Sequence, residues 1–527
     1  MYKQSLAKNF LKNAEKYKER VALFVDGRYF SYRQLLELVL PVADQLVKTT
    51  SPFCVLVCEK NINRYVGILA ALLADKTYVP ICPNSPDSVL ERVLNVIDSD
   101  CFIIDTSSEA KDMHIASKLK LGTQVVFPSL STSAFGQSLL NLQVVGKEQL
   151  VGGELAHFDT FNNENAYLMF TSGSTGVPKG VMVSHENVQE YLRGAIELFN
   201  PDESDRVIQL NSYTFDLSVH DIFLAWSVGA SLYAVPENAF FKIPQYLAEH
   251  EITFWLSVPT TGINLNDLNL LTEGRFEKLK YTLFCGEPLP ESLARAWHKA
   301  APNGEICNIY GPTECTIAMT CYVWSMRDNA SDIVPIGVPF PGQEIVLLDA
   351  NFQQVSDGDK GEIFIGGSQV VEGYYNNEAQ TLLRFVTFPQ RDGVWYRSGD
   401  LAVRTEHDGF QFTGRCDDQL QVRGYRVERL EVEMLMRQAC GIESLAVVGW
   451  PILDANVCGG LVAFVSGSDL SSSAIKEACR KHMPEYMWPS KVYLQDIPLT
   501  KSLKIDYPAL KKQLSLASTH NKQVQQA

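Results

Sequence analysis

No apolar run in this chain approaches the roughly 20 residues a membrane-spanning helix needs. The longest clean stretch, VGILAALLA at Val66 to Ala74, is nine residues long and lies between Arg64 and Asp75, a length that suits a buried helix. The N-terminus, MYKQSLAKNFLKNAEKYKER, has lysines scattered at helical spacing and neither an apolar signal core nor a small-residue cleavage site. The expectation is therefore a cytoplasmic protein with no membrane partner. Twelve cysteines occur without a single CxxC pair, most of them inside apolar runs such as FCVLV and LFCGE, where they act as small hydrophobes rather than as a disulfide or zinc framework. Nine scattered histidines include no HExxH pattern, so no zinc site is expected. There is no block of Lys and Arg, and 46 basic against 61 acidic residues leave a net charge of −15. That balance argues against nucleic acid as a partner. Internal repeats and low-complexity segments are lacking as well.

What is present is ordinary globular material: 46% hydrophobic and 20% charged residues over 527 positions, enough for two or more folded units. From about 20 to 270, short β-rich runs (VALFV, CVLVC, CFIID, RVIQL, ITFWLSV) alternate with helical segments such as YRQLLELVLPVADQLVK and NRYVGILAALLADK. Such alternation predicts an α/β layered fold with parallel strands. Residues 280–415 carry more strand and turn signals (KYTLFCG, QEIVLLD, GEIFIGG, GFQFTG) and read as an appended β subdomain. After Gly424 a compact α+β mixture follows, with ERLEVEMLMRQ and SSSAIKEACRKHM as helices and LAVVGW and LVAFV as strands. The expected division is a large N-terminal α/β core over 1–416, a small mobile α+β domain over 417–514, and a polar, frayed tail over 515–527.

The strongest chemical signal is YLMFTSGSTGVPKGVMVSHE, Tyr167 to Glu186, a hydrophobic strand running into a loop of small residues and out into another strand. Gly173, Gly176 and Gly180 permit backbone conformations closed to other residues, while Thr171, Ser172, Ser174 and Thr175 offer hydroxyls and amides to phosphate oxygens. A Gly/Ser surface turn would have the same composition. It is not a Walker A loop, because Lys179 is followed by Gly180 rather than Ser or Thr.

TSGSTGVPKG resembles the signature loop of the AMP-forming, adenylate-forming enzyme superfamily, and six further blocks follow in that family's order. They are NIYGPTE (Asn308 to Glu314), GEIFIGG and GYYNN (Gly361 to Asn377), YRSGDL (Tyr396 to Leu401), GRCDDQLQVRGYRVE (Gly414 to Glu428), MPEYMWP (Met483 to Pro489) and LTKSLKID (Leu499 to Asp506). The resemblance covers residues 8 to 514. It implies that ATP is held by Thr171, Ser172, Gly173, Ser174, Thr175, Gly176 and Lys179, with Tyr310 against the adenine and Asp400 and Arg415 at the ribose. Thr313 would contact the α-phosphate, Glu314 would hold Mg²⁺, and Lys504 would be the cation that stabilises the charge developing on the phosphoryl oxygens. Asp417 matches the family's hinge between two domain arrangements. Gln421 stands where a Lys is common, and Leu503 where a Gly is usual.

The segment SYTFDLSVHDIFLAWSVGAS, Ser212 to Ser231, separates branches of the superfamily. Members similar to nonribosomal peptide synthetase adenylation domains carry an Asp at the position of Asp216 to pair with a substrate ammonium, a bond worth about 1.5–3 kcal/mol. The competing role for Asp216 is a helix N-cap. The resemblance places the side-chain pocket at Leu217, His220, Leu256, Leu283, Cys285, Ile309, Ile317 and Ala318. Those residues imply a small or medium apolar amino acid, with His220 as a wall. FCGE and FDLSVHDIF are also similar to D-alanine:carrier-protein ligases. The expected activity is ATP-dependent formation of an aminoacyl adenylate, followed by transfer to the phosphopantetheine thiol of a separate carrier protein. The alternative is an acyl-CoA ligase for a non-amino carboxylic acid.

Overall fold

The computed structural model describes residues 5–525, except 107, 135–138, 140, 156–157, 159–160, 174–177, 238, 327–331, 455–456 and 501–504. Two large sheets carry the first part of the chain. The seven-stranded one runs in the order Gln143–Gly146, Gln124–Phe127, Cys101–Asp105, Phe53–Cys58, Thr77–Pro80, Asn165–Thr171, Lys179–Ser184, all parallel except for the last antiparallel pair. The nine-stranded one has a parallel centre, Glu305–Tyr310, Tyr281–Phe284, Phe254–Ser257, Arg206–Gln209, Ser231–Ala234 and Val21–Val25, with antiparallel strands at both edges.

One continuous core joins both sheets, with Leu56 and Tyr167 from the first and Leu23, Val207 and Leu283 from the second. The apolar run at Val66 forms part of the helix Ile62–Leu73, buried from Arg64 to Leu73. The helix Leu217–Val228 is likewise buried along most of its length. A helix apolar all round has to be enclosed on every side. Among the described residues no helix is long and apolar enough to cross a membrane.

The β subdomain begins later than expected. Tyr281–Phe284 is a central parallel strand of the nine-stranded sheet, its TLF segment buried, because an apolar strand with no polar face belongs in a sheet covered on both sides. The separate five-stranded antiparallel sheet comprises Gln343–Leu348, Lys360–Gly367, Phe385–Phe388, Arg391–Thr405 and Gly409–Arg415.

Three residues, Cys416 to Asp418, then lead into the hairpin Gln419–Val422 and Tyr425–Glu428. Beyond it, the helices Arg429–Cys440 and Ser472–His482 pack on two small sheets around their own core of Val432, Met436, Leu461, Ile475 and Met483. Ser471 caps the second helix through the Ala474 amide at 3.2 Å, an interaction worth about 1 kcal/mol. The fold is thus a large layered α/β unit with a β subdomain, joined to a small α+β unit. The tail expected from 515 differs: the helix Tyr507–Gln525 runs through it. Its Leu, Ala, Lys and Gln residues are good helix formers even without a regular apolar stripe.

Candidate active site

The loops that follow the carboxyl ends of the parallel strands meet in one cleft, where ligand sites of open α/β sheets form. Its walls include Thr171 and Ser172, Thr214 to Leu217, Cys285 to Pro288, Asn308 to Thr313 and Ile317 from the sheets, and Asp400 and Arg415 from the β subdomain. The small unit closes it with Gln419, Gln421, Gly424, Tyr425, Arg426, Val457 and Tyr486. Gly424 has a φ of +84°, and a Cβ there would come within 2.7 Å of Val258. Only glycine lets the hairpin tip approach this closely.

Asp216 sits at the start of the helix Leu217–Val228, yet its side chain makes no capping hydrogen bond. Its carboxylate is buried against the cleft instead, with Oδ2 lacking a partner among the described residues. Burial pushes its pKa up to about 6, against the opposing pull of the Thr313 hydroxyl and the Ile317 amide. The capping alternative for Asp216 therefore fails, and a buried acceptor facing a cleft is left free.

Of the expected pocket residues, Leu217, Cys285, Ile309 and Ile317 line the cleft, and His220, Leu256, Leu283 and Ala318 are buried without lining it. His220 is engaged with Tyr191, whose OH lies 2.7 Å from Nδ1. Burial depresses the His220 pKa to about 3, so its ring is neutral. The neighbouring Tyr191 stacks on Phe340.

At the other end, Tyr310 donates to Asp400 Oδ2 at 2.6 Å, and Arg415 pairs with Asp400 Oδ1. Arg415 also binds Asp417 at 2.7 and 2.9 Å, and Arg384 reaches the same carboxylate at 3.2 Å. Burial would raise the Asp417 pKa, but the two guanidiniums hold it near 2. Asp417 lies in the link between the two units and is thereby tied to the β subdomain.

The residues expected at the polyphosphate are held by the small unit. Ser172 Oγ donates to the Arg426 carbonyl at 2.8 Å, and the Gly173 amide donates to Glu431 Oε2 at 3.1 Å. Lys179, buried beside the Tyr374 ring, lies 3.6 Å from Glu428. Glu314 is fully buried, accepts from Tyr374 at 2.7 Å, and pairs with Arg426 at 2.9 Å. Burial would raise the Glu314 pKa, yet Arg426 and Lys179 hold it near 2. It is thus a permanent anion, a hard oxygen donor of the kind Mg²⁺ takes. Among the described residues no three His, Cys, Asp or Glu side chains are grouped to hold a metal alone. Ser174, Thr175, Gly176 and Lys504 lie outside the described residues.

Sequence reasoning assigned no role to Arg426, Glu431, Tyr374 or Tyr191. Arg426 and Tyr374 stand inside the quoted blocks GYRVE and GYYNN, whereas nothing local in sequence marks Glu431 or Tyr191. All twelve cysteines are free thiols, nine of them buried, as their apolar surroundings implied.

Residues 10–375 match the family model described as AMP-binding enzyme. The chain is 30% identical over 511 residues to tyrocidine synthase 3 of Brevibacillus parabrevis, covering 95% of this chain but only 7% of that protein. It is 29% identical to syringomycin synthase SyrB1 of Pseudomonas syringae pv. syringae, covering 94% of this chain and 80% of that one. A solved structure of the Vibrio cholerae adenylation domain AlmE in complex with glycyl-adenosine-5'-phosphate superposes with a TM-score of 0.88 at 28% identity, covering 97% of both chains. With a family model matched over more than half its length, this chain belongs to the AMP-binding enzyme family.

Proposed function

We propose that this protein is an AMP-forming ligase that activates a small apolar amino acid as its adenylate and passes the acyl group to the phosphopantetheine thiol of a carrier protein. The observation that carries the reading is Asp216: a buried carboxylate oxygen without a partner among the described residues, facing the cleft. A substrate ammonium supplies the missing donor and the missing charge, and a plain carboxylic acid supplies neither. The apolar Leu217, Cys285, Ile309 and Ile317 surround the adjoining space. Because the cleft does not extend to the buried His220, Leu256 and Leu283, a short side chain is favoured. The AlmE complex with a glycyl adenylate is in keeping with that size.

In the first half-reaction the amino-acid carboxylate attacks the α-phosphorus of ATP, a new O–P bond forms, and pyrophosphate leaves. Asp400, fixed by Tyr310 and Arg415, accepts from the ribose hydroxyls. Thr313, whose hydroxyl reaches Asp216 and whose chain neighbour is Glu314, stands where the amino acid and the α-phosphate meet. Glu314 is the residue that would hold Mg²⁺, which would supply charge neutralisation for the departing pyrophosphate. Lys504 supports the phosphoryl oxygens in this step. Its described neighbours belong to the small unit, with Tyr507 donating to Glu433 at 2.8 Å and lying under Arg429. In the second half-reaction the small unit turns about Asp417, the hairpin docks on the cleft, and the thiol attacks the acyl carbonyl and releases AMP.

Amino-acid-dependent ATP–pyrophosphate exchange across the proteinogenic amino acids, D-alanine and their deaminated analogues tests the reading. Exchange with one small apolar amino acid and none with its deaminated analogue is expected. Equal exchange with the analogue would favour an acyl-CoA ligase.

A further inference from the structure

The wall of the cleft beside Asp216 includes a backbone conformation that its own residues resist. The Ala318 amide donates to the Thr316 carbonyl at 2.9 Å, closing a three-residue turn around Ile317, whose φ is +72°. That is the strained form of the γ-turn. Thr316 before it also has a positive φ, +57°, and both residues are β-branched, for which this region is a genuine outlier. Such strain persists only where the surroundings over-determine it. The restraint comes from the β subdomain. The Gln369 carboxamide nitrogen lies 2.8 Å from the Ala318 carbonyl oxygen, 3.2 Å from that of Thr316 and 3.4 Å from that of Cys315. Carbonyls only accept, so the nitrogen end of the carboxamide has to face the turn. Thr316 Oγ1 donates back to the Gln369 carbonyl at 2.7 Å. Gln369 itself follows the strand Lys360–Gly367, and its backbone amide donates to Gln343 Oε1 at 3.3 Å.

Gln369 is fully buried and forms no part of the cleft wall, whereas Ile317 does. Its Oε1 has no hydrogen-bond partner among the described residues. A buried carboxamide with an unsatisfied oxygen costs the fold more than an apolar side chain of the same size, so stability does not explain it. Resting on the adenylating reading above, we propose that Gln369 is a positioning residue of the amino-acid pocket, holding the turn at Ile317 from outside and thereby setting which side chains fit. The turn contributes twice. Ile317 presents an apolar wall, and its amide faces the Asp216 carboxylate. Both depend on the same strained backbone, so a shift of the turn moves the wall and the ammonium site together. Released from the carboxamide, Thr316 and Ile317 are free to return toward ordinary φ values, and a fixed wall becomes a yielding one. Selectivity for a short side chain is then a property of the β subdomain as well as of the residues that line the pocket.

ATP–pyrophosphate exchange by the full chain with glycine, D-alanine, L-alanine, L-2-aminobutyrate, L-valine and L-leucine tests the assignment. Gln369→Met keeps the length and bulk of the side chain but has no donor. It is expected to lower kcat/KM for the preferred of these amino acids about ten-fold, through the KM for the amino acid, while the KM for ATP stays within about two-fold. The preference over the next larger side chain, about 10- to 200-fold per methylene in an apolar pocket, is expected to narrow about five-fold or more. The acid limb of kcat/KM, set by Asp216 at about 6, should move to higher pH, because the Ile317 amide that favours the carboxylate is lost. Hydrogen–deuterium exchange is expected to rise in peptides spanning 313–320. A preference within about two-fold of the unaltered protein in folded Gln369→Met overturns the proposal. Unchanged protection of 313–320 overturns it too, as does an equal loss with every amino acid, the mark of a merely structural part. Should that variant fail to fold, Thr316→Val, which removes the bond to the Gln369 carbonyl, takes its place under the same criteria. Exchange by the unaltered protein with none of these amino acids would sink the adenylating reading instead, and protection of 313–320 in the variant still decides whether Gln369 braces the turn.

Discussion

Replacing Asp216 with Ala removes the carboxylate proposed to meet a substrate ammonium, and its consequence can be worked through from the site. The group is buried, its Oδ2 has no partner among the described residues, and the walls beside it are apolar. An ammonium bound there without its counter-charge is a desolvated ion, and truncating one member of such a pair costs about 2–5 kcal/mol. At about 1.4 kcal/mol per decade, that corresponds to about 30- to 4,000-fold in kcat/KM for pyrophosphate exchange. A deaminated analogue, for which the same substitution removes only a buried polar group, should lose less or gain. A pH test follows from the same group. Burial raises the Asp216 pKa to about 6 in the free protein, and the ammonium binds only the ionised form. The kcat/KM should therefore fall as pH drops through about 6, and Asp216→Asn should lack that acid limb on a low baseline. Asp216→Ala exchange within three-fold of the unaltered enzyme, in a protein of unchanged melting temperature, would refute the ammonium role.

Other consequences are open to measurement. Lys504→Ala should lower adenylation about 10²–10³-fold, the scale of losing one preorganised charge partner; near-normal exchange with collapse in Lys501→Ala would show the wrong lysine was assigned. Asp417→Pro fixes a backbone angle in the link and should reduce acyl transfer to a thiol more than pyrophosphate exchange. Asp417→Ala, which frees Arg415 and Arg384 without fixing φ, separates the ion pairs from the rotation, and equal loss of both activities in a folded Pro variant would contradict a hinge there. Burial depresses His220 to about 3 and His185 to about 4. The folded state therefore resists protonation that the unfolded state accepts below about 6.5, and stability is lost as pH falls below that value. Each histidine should account for about 2 kcal/mol at about pH 5 relative to about pH 7.5, read from urea midpoints, and His220→Gln should flatten the difference.

Much of this architecture was legible because local patterns agreed with the fold. The buried helix at Val66, the two small-unit helices and the parallel strands all follow from apolar periodicity and capping residues. Tyr281–Phe284 was misplaced since a short apolar strand looks the same in a central sheet and in a β subdomain, and only its neighbours decide. The helix through 515–525 escaped because helix-forming composition without an apolar stripe leaves little periodic signal. At the site, Asp216 could be read as a cap or as a ligand for an ammonium until its side-chain geometry was known. His220, Leu256 and Leu283 sit at pocket positions by alignment but behind its wall in space, a distinction set by side-chain direction and by Tyr191 from a distant helix. The engagement of Glu314 by Arg426 spans 112 positions and depends on domain placement, which no local pattern encodes.

The most direct test is to incubate the purified protein with MgATP and an equimolar mixture of amino acids and their deaminated analogues, without any thiol, and identify by mass spectrometry the adenylate retained on the protein. A single adenylate of a small apolar amino acid is expected, at close to one per chain and lost in Asp216→Ala. Retention of a carboxylic-acid adenylate lacking an amino group, or of no adenylate under conditions where ATP binds, would contradict it.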